Sequence, residues 1–178
     1  MRPDVVSTER RFSGRHLAVR VDRIRMEGGR EVDQEIVEHP GSVVMVPVDG
    51  DGGIWFVRQY RHAAGREILE LPAGTLGSRE DPIVCADREL REEIGMRADR
   101  MTAIGAFFLV PGYATEYMRV YLAEGLLPDR LPGDEDEVLF PEKHSRAEVE
   151  EMIESGALED AKTVAALAIA FRRPPKFG

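Results

Sequence analysis

The chain has a single cysteine, Cys85, and a single tryptophan, Trp55, in 178 residues. One thiol can neither close an internal disulfide nor supply a thiolate metal cluster, which excludes disulfide-framed secreted scaffolds and zinc fingers. Long apolar runs are lacking too. The longest covers residues 164–171, far short of the roughly 20 residues of a spanning helix, so no membrane partner is expected. The opening residues, MRPDVVSTERRFSG, hold no apolar signal-peptide core, and a cytoplasmic location is expected. Basic charge is also scarce. Lys and Arg number 24 against 33 Asp and Glu, a formal net charge of −9. Such a chain repels a phosphate backbone, and no nucleic-acid partner is expected. What remains is an ordinary globular mix, 43% hydrophobic and 32% charged, able to bury one core and a small appendage.

The first half alternates as strands do. Leu17, Val19 and Val21 oppose Arg20 and Asp22, then the register slips before Ile24 and Met26, which predicts a bulge. Gly28-Gly29 predicts the turn to a partner strand over residues 30–39. Residues 42–48 and 53–60, separated by Asp-Gly-Asp-Gly-Gly, predict a second hairpin. A short extended piece over 67–71 leads into Pro72-Ala73-Gly74. A helix is predicted over 82–94, with Asp81 as N-cap, Pro82 first inside and Gly95 past its end. Its apolar stripe is Ile83, Ala86, Leu90 and Ile94. Strands follow at 101–110 and 117–123, then a polar loop over 131–137. A Ser145/Glu148 capping box opens a helix to about residue 154, and a last helix covers about 161–172. The fold class is α+β with a mixed sheet.

The chemistry concentrates in residues 74–96, GTLGSREDPIVCADRELREEIGM. Glu89 and Glu93 are one turn apart and Glu92 is three residues from Glu89, so one helix side gathers three carboxylates. Like charges this close repel. A hard divalent cation, which takes oxygen ligands, would cancel the repulsion; a solvated charged face would also use these residues.

The full spacing decides between them. Gly74, five residues, Glu80, seven residues, Arg88-Glu89-Leu90, one residue, Glu92-Glu93, one residue, Gly95-Met96 resembles the Nudix box of the Nudix hydrolases at every specified position. Chance would give seven fixed residues and two apolar positions about once in ten million sequences or more rarely. The resemblance implies an α/β/α sandwich around a mixed sheet, here preceded by an antiparallel strand region. It also implies hydrolysis of a nucleoside diphosphate joined to another moiety, using Mg²⁺ or Mn²⁺. Carried over, Glu89 and Glu93 are the principal metal ligands, with Glu92 and the Ala73 carbonyl further ones. Gly74 and Gly95 shape the backbone, and Glu80 and Arg88 form a structural ion pair.

The flanks narrow the substrate. Glu70-Leu-Pro-Ala-Gly74, Arg58-Gln-Tyr-Arg61, Pro111 with the following Gly-Tyr-Ala-Thr-Glu116, and the tail at Glu154-Ser-Gly-Ala-Leu-Glu-Asp160 are similar to the ADP-ribose pyrophosphatase subgroup. That likeness implies hydrolysis of ADP-ribose, a small nucleoside diphosphate sugar, to AMP and ribose 5-phosphate; the alternatives are another nucleoside diphosphate sugar or a dinucleotide as substrate, or a non-catalytic nucleotide-sensing domain. It gives Arg61 to a phosphate and Glu116 to the terminal ribose. Arg15, His16 and Glu35 would reach from one subunit of a homodimer to the adenosine end bound by the other. Arg61 and Glu116 could equally serve a surface ion pair, and for Arg15, His16 and Glu35 a non-functional surface role is the stronger reading. Residues 1–40 are thus expected to be a dimerising strand region and 41–178 the hydrolase domain. In the acidic run 134–137 the likeness makes Glu135 the general base, with Glu92 the alternative, and Glu137 a metal ligand. Phe140-Pro141 is expected to interrupt the strand that would follow.

Overall fold

The computed structural model describes residues 3–133 and 138–172. Two compact units emerge: the N-terminal stretch up to Gly41 with Phe108–Tyr117, and Ser42–Phe107 with the chain from Met118 onward.

In the first unit β1 (Asp4–Ser13), β2 (Ala18–Arg25) and β3 (Glu31–Glu38) form an antiparallel sheet in that order. The β2–β3 hairpin runs without a break from Ala18 opposite Glu38 to Arg25 opposite Glu31. Its turn needs two left-handed residues, and Gly28 (φ 89°) and Gly29 (φ 85°) supply them. The register slip read into β2 lies instead on β1, which shifts between Val5 and Ser7 opposite Ile24 and Arg23, and again between Arg10 and Phe12. Every β1 residue is exposed, so no one-sided alternation marked it as a strand. Phe108–Tyr117 joins this unit through the Val37 N–H donating to the Tyr113 carbonyl (2.7 Å) and the Thr115 N–H donating to the Val37 carbonyl (2.9 Å).

In the second unit β4 (Ser42–Val48), β5 (Ile54–Arg61), β6 (Arg66–Glu70), β7 (Ala73–Thr75), β8 (Met96–Phe108), β9 (Tyr117–Pro128) and β10 (Leu139–His144) make a seven-stranded sheet. The central order is β10-β5-β4-β9-β8, with β6 beside β5 and β7 beside β4. β4 runs parallel to β9, and antiparallel to β5 and β7, so the sheet is mixed. Helices α1 (Pro82–Glu93), α2 (Arg146–Glu154) and α3 (Ala161–Phe171) cover it.

β4 shows why the fold has three layers. After Ser42 its run VVMVPV is unbroken and apolar, the mark of a strand buried on both faces. Val44 and Val46 join Phe56 and Leu71 under Val149 of α2 and Leu167 of α3. Val43 and Met45 join Val57 under Ala86 and Leu90 of α1. The result is an α/β/α sandwich, with α1 alone on its face.

Two further details differ from the sequence reading. Ile83, placed on the apolar stripe, is 43% exposed, and α1 is buried only from Cys85 and Ala86 onward. Phe140-Pro141 does not break the chain's path: β10 pairs with β5 throughout, Pro141 opposite Val57. β10 is an edge strand, where a missing N–H can face outward at no cost to the ladder. No helix among the described residues is long and apolar enough to cross a membrane.

Candidate active site

α1 begins where the sequence placed it. The Asp81 carboxylate accepts the Ile83 N–H at 3.1 Å, Pro82 follows, and Gly95 (φ 73°) lies past the end. With the Leu90 side packed on β4, Glu93 lies only about 60° and Glu89 about 100° round the helix. Those positions turn them toward β7, not to open solvent. Glu93 is 7% exposed, and its Oε2 accepts the Ala73 N–H at 3.1 Å. Glu89 lies across Gly74, where a Cβ would stand 2.0 Å from its Cδ. Gly74 is paired with Val43 of β4 and cannot retreat, so only glycine leaves room for this carboxylate.

Arg88 reaches two of the α1 carboxylates and Glu80. Arg88 Nη1 lies 2.8 Å from both Glu89 Oε1 and Glu92 Oε2. Its Nε and Nη2 donate to Glu80 at 3.1 and 3.3 Å, while the Gly77 N–H donates to the same carboxylate at 2.8 Å. Burial works against the Arg88 charge, yet the Glu80 hydrogen bond and the Glu89 charge together hold its pKa above the ordinary arginine value. Cys85, fully buried next to them, has its thiol pushed up to about 12 by burial and then by Glu89 and Glu80. It is a packed, protonated thiol at neutral pH.

Among the described residues no three ligand groups already converge on one point. The donor set nevertheless fits a hard divalent cation. It offers oxygen donors, the carboxylates of Glu89, Glu92 and Glu93, and a cationic nitrogen of Arg88 already sits within 2.8 Å of two of them.

Arg61, at the end of β5, donates through Nε and Nη2 to Glu70 Oε1 and Oε2 at 2.8 and 2.6 Å and stays 42% exposed. Arg15 and His16 stand exposed in the β1–β2 turn and, with Arg10, Arg20 and His39, line a concavity of about 460 Å³. Glu116 lies in the same unit, its Oε1 4.0 Å from His39 Nδ1. Glu35 is exposed on β3 opposite Val21 and does not line that concavity. Glu135 and Glu137 lie outside the described residues.

Two features had no reading in the sequence. The stretch entering the acidic run is stitched to the end of α1: the Asp129 N–H donates to the Gly95 carbonyl (3.0 Å) and the Leu131 N–H to the Arg91 carbonyl (3.2 Å). Arg91 also pairs with Asp129 at 3.3 Å. The second is Lys162, buried at the start of α3 against Glu70. A lysine just inside a helix reads as solvated, and only its spacing behind the N-cap Asp160 could have hinted otherwise.

A family model described as the NUDIX domain matches residues 38–167. An ADP-ribose pyrophosphatase of Bacillus subtilis is 37% identical over 164 residues, covering 91% of this chain and 89% of that protein. An ADP-ribose pyrophosphatase of Mycobacterium tuberculosis is 44% identical over 124 residues, 69% of this chain and 60% of that one. Among solved structures, a crystal structure of ADP compounds hydrolase aligns with a TM-score of 0.85 at 24% identity, covering 96% of this chain and 93% of its own, a likeness of fold.

Proposed function

The chain belongs to the Nudix family, and from that premise we propose that it hydrolyses the pyrophosphate of ADP-ribose to AMP and ribose 5-phosphate with Mg²⁺ or Mn²⁺. The observation that carries the reaction class is the pair Glu89 and Glu93 of α1 held against Gly74 and Ala73, with Glu92 beside them on Arg88. The Bacillus subtilis relative, matched over most of both chains, supports the substrate. Nudix hydrolases generally need a divalent metal, and Glu89, Glu93, Glu92 and the Ala73 carbonyl would hold it, with Glu137 added from the acidic run. A cation bound there offsets the pyrophosphate charge and lowers the cost of ionising a water molecule.

The chain's own groups do the rest. Arg61 contacts a phosphate oxygen by a charge-assisted hydrogen bond. Glu135 accepts the proton of the attacking water, with Glu92 the alternative base. Glu116 holds the terminal ribose hydroxyls, and Arg15, His16 and Glu35 reach the adenosine end bound by the other subunit. Glu80, Arg88, Gly74 and Gly95 keep the loop and helix in place. The proposed location is cytoplasmic; no nucleic acid is involved, in keeping with the net charge of −9.

A panel of ADP-ribose, NADH and a GDP-sugar tests the substrate. ADP-ribose is expected to give the highest kcat/KM by at least about tenfold, roughly 1.4 kcal/mol in transition-state binding; a higher value for another member reassigns the enzyme.

Gly74→Ala should keep the fold but displace the Glu89 carboxylate. A Mg²⁺ titration should show the half-maximal concentration raised by about tenfold or more, as loss of a well-placed support does. An unchanged titration would remove Glu89 from the site. Glu135→Gln should remove the acidic limb of the pH–rate profile, whereas Glu137→Gln should shift the metal titration alone. Wild-type behaviour of both would make the run solvated charge.

Residues 1–40 are proposed as the dimerising region and 41–178 as the hydrolase domain. Val5, Val6, Phe12, Leu17 and Met26 expose apolar surface on the three-stranded unit, which supports a homodimer. Sedimentation at micromolar concentration should report twice 19.9 kDa; a fully active monomer would contradict it.

A further inference from the structure

The support behind Arg61 is heavier than an exposed arginine requires. Glu70, 2% exposed, accepts both guanidinium bonds. Lys162, 8% exposed, hydrogen-bonds Glu70 Oε2 and donates to Asp160 Oδ2 at 2.9 Å. Asp160 is fixed as the N-cap of α3, accepting from the Thr163 N–H at 3.0 Å and the Thr163 hydroxyl at 2.6 Å. The Thr163 hydroxyl oxygen in turn accepts the Leu71 N–H at 2.8 Å. One connected network therefore runs from the first turn of α3 to the end of β6 and the guanidinium at the end of β5.

Burying charges is an expensive way to join secondary structure, since apolar side chains of the same volume hold it as well. What charges add is direction and compensation. A carboxylate facing one guanidinium balances it fully, and an anionic substrate must then compete with that carboxylate. A second cation on Oε2, itself partly balanced by Asp160, shares the Glu70 carboxylate with Arg61, so Glu70 keeps a partner when Arg61 turns its charge toward a phosphate. We infer that Lys162 is a positioning residue for phosphate binding, holding Glu70 from behind so that Glu70 aims Arg61 without absorbing its charge. The inference rests on the reading of Arg61 as a phosphate contact.

The test is a cycle of wild type, Lys162→Met, Arg61→Gln and the double variant, with kcat, KM for ADP-ribose and thermal melting recorded for each. Arg61→Gln is expected to raise KM by about tenfold or more, the effect of a lost charge-assisted contact. Lys162→Met is expected to raise KM by about fivefold with kcat within about twofold, the signature of lost uniform binding. In the Arg61→Gln background it should leave KM unchanged. A KM increase of the same factor in both backgrounds, or a lower melting temperature with KM unchanged, makes Lys162 merely structural and overturns the proposal. An unchanged KM in Arg61→Gln removes the premise itself, a different result from either. If Lys162→Met does not fold, Lys162→Gln retains a donor to Glu70 and carries the cycle under the same criteria.

Discussion

Replacing Glu93 by glutamine is expected to lower ADP-ribose turnover by at least about a hundredfold, on the order of 3 kcal/mol in the barrier, with the fold intact. Glu93 is buried, and its Oε2 accepts the Ala73 N–H. Glutamine keeps an acceptor oxygen of the same reach, so the tie between α1 and β7 survives. The negative charge is lost, and with it a ligand for a hard cation. Glu89→Gln should behave alike, because its carboxylate is seated in the space that Gly74 leaves open. Both variants should melt no lower than wild type, since removing one of three neighbouring charges relieves repulsion. Turnover and Mg²⁺ titration on the same samples check this, and near-normal turnover in both variants would sink the metal-site assignment.

Glu70→Ala is the corresponding stability experiment. The carboxylate is 2% exposed between Arg61 and Lys162. The half-exposed Arg61 can turn to water once that carboxylate is gone, but Lys162 is left buried with Asp160. Breaking a buried pair by deleting one member costs about 3–5 kcal/mol, a large share of the roughly 5–15 kcal/mol that holds a domain. The melting temperature should fall by roughly 10 °C. The effect should also depend on pH. Burial alone would raise the Glu70 pKa, but the Arg61 hydrogen bonds and the Lys162 charge outweigh it and hold the folded value below the ordinary 4.5. The unfolded state therefore binds the proton first as pH falls. The stabilisation is full above the ordinary carboxylate value and disappears as pH drops through the folded one. Melting curves of wild type and variant should converge toward acid; a gap that persists unchanged there would show that packing, not charge, sets it.

These two sites differ in how far the sequence reveals them. α1 is legible because its punctuation and its chemistry agree. Asp81-Pro82 and Gly95 bound a helix whose internal spacing gathers Glu89, Glu92 and Glu93 whatever surrounds it. β4 is legible for a similar local reason, an apolar run bracketed by Gly41 and Asp-Gly-Asp-Gly-Gly. What stays hidden depends on partners distant in the chain. β1 carries no buried residue, so nothing in its pattern distinguishes a strand from a solvated tail. β10 contains a proline that only an edge position makes harmless, and edge position is a property of the whole sheet. Lys162 is the clearest case. Its burial follows from Glu70, 92 residues earlier, and no local rule turns a lysine near a helix start into a core residue.

The central claim is tested most directly by incubating the protein with ADP-ribose in ¹⁸O-water, with Mg²⁺ and with a chelator, and weighing both products by mass spectrometry. The predicted result is AMP and ribose 5-phosphate in equal amounts, one ¹⁸O in one of the two products and none in the other, and no products with the chelator. Tight binding of ADP-ribose with no Mg²⁺-dependent product would contradict it, leaving a chain that recognises the nucleotide without cutting it.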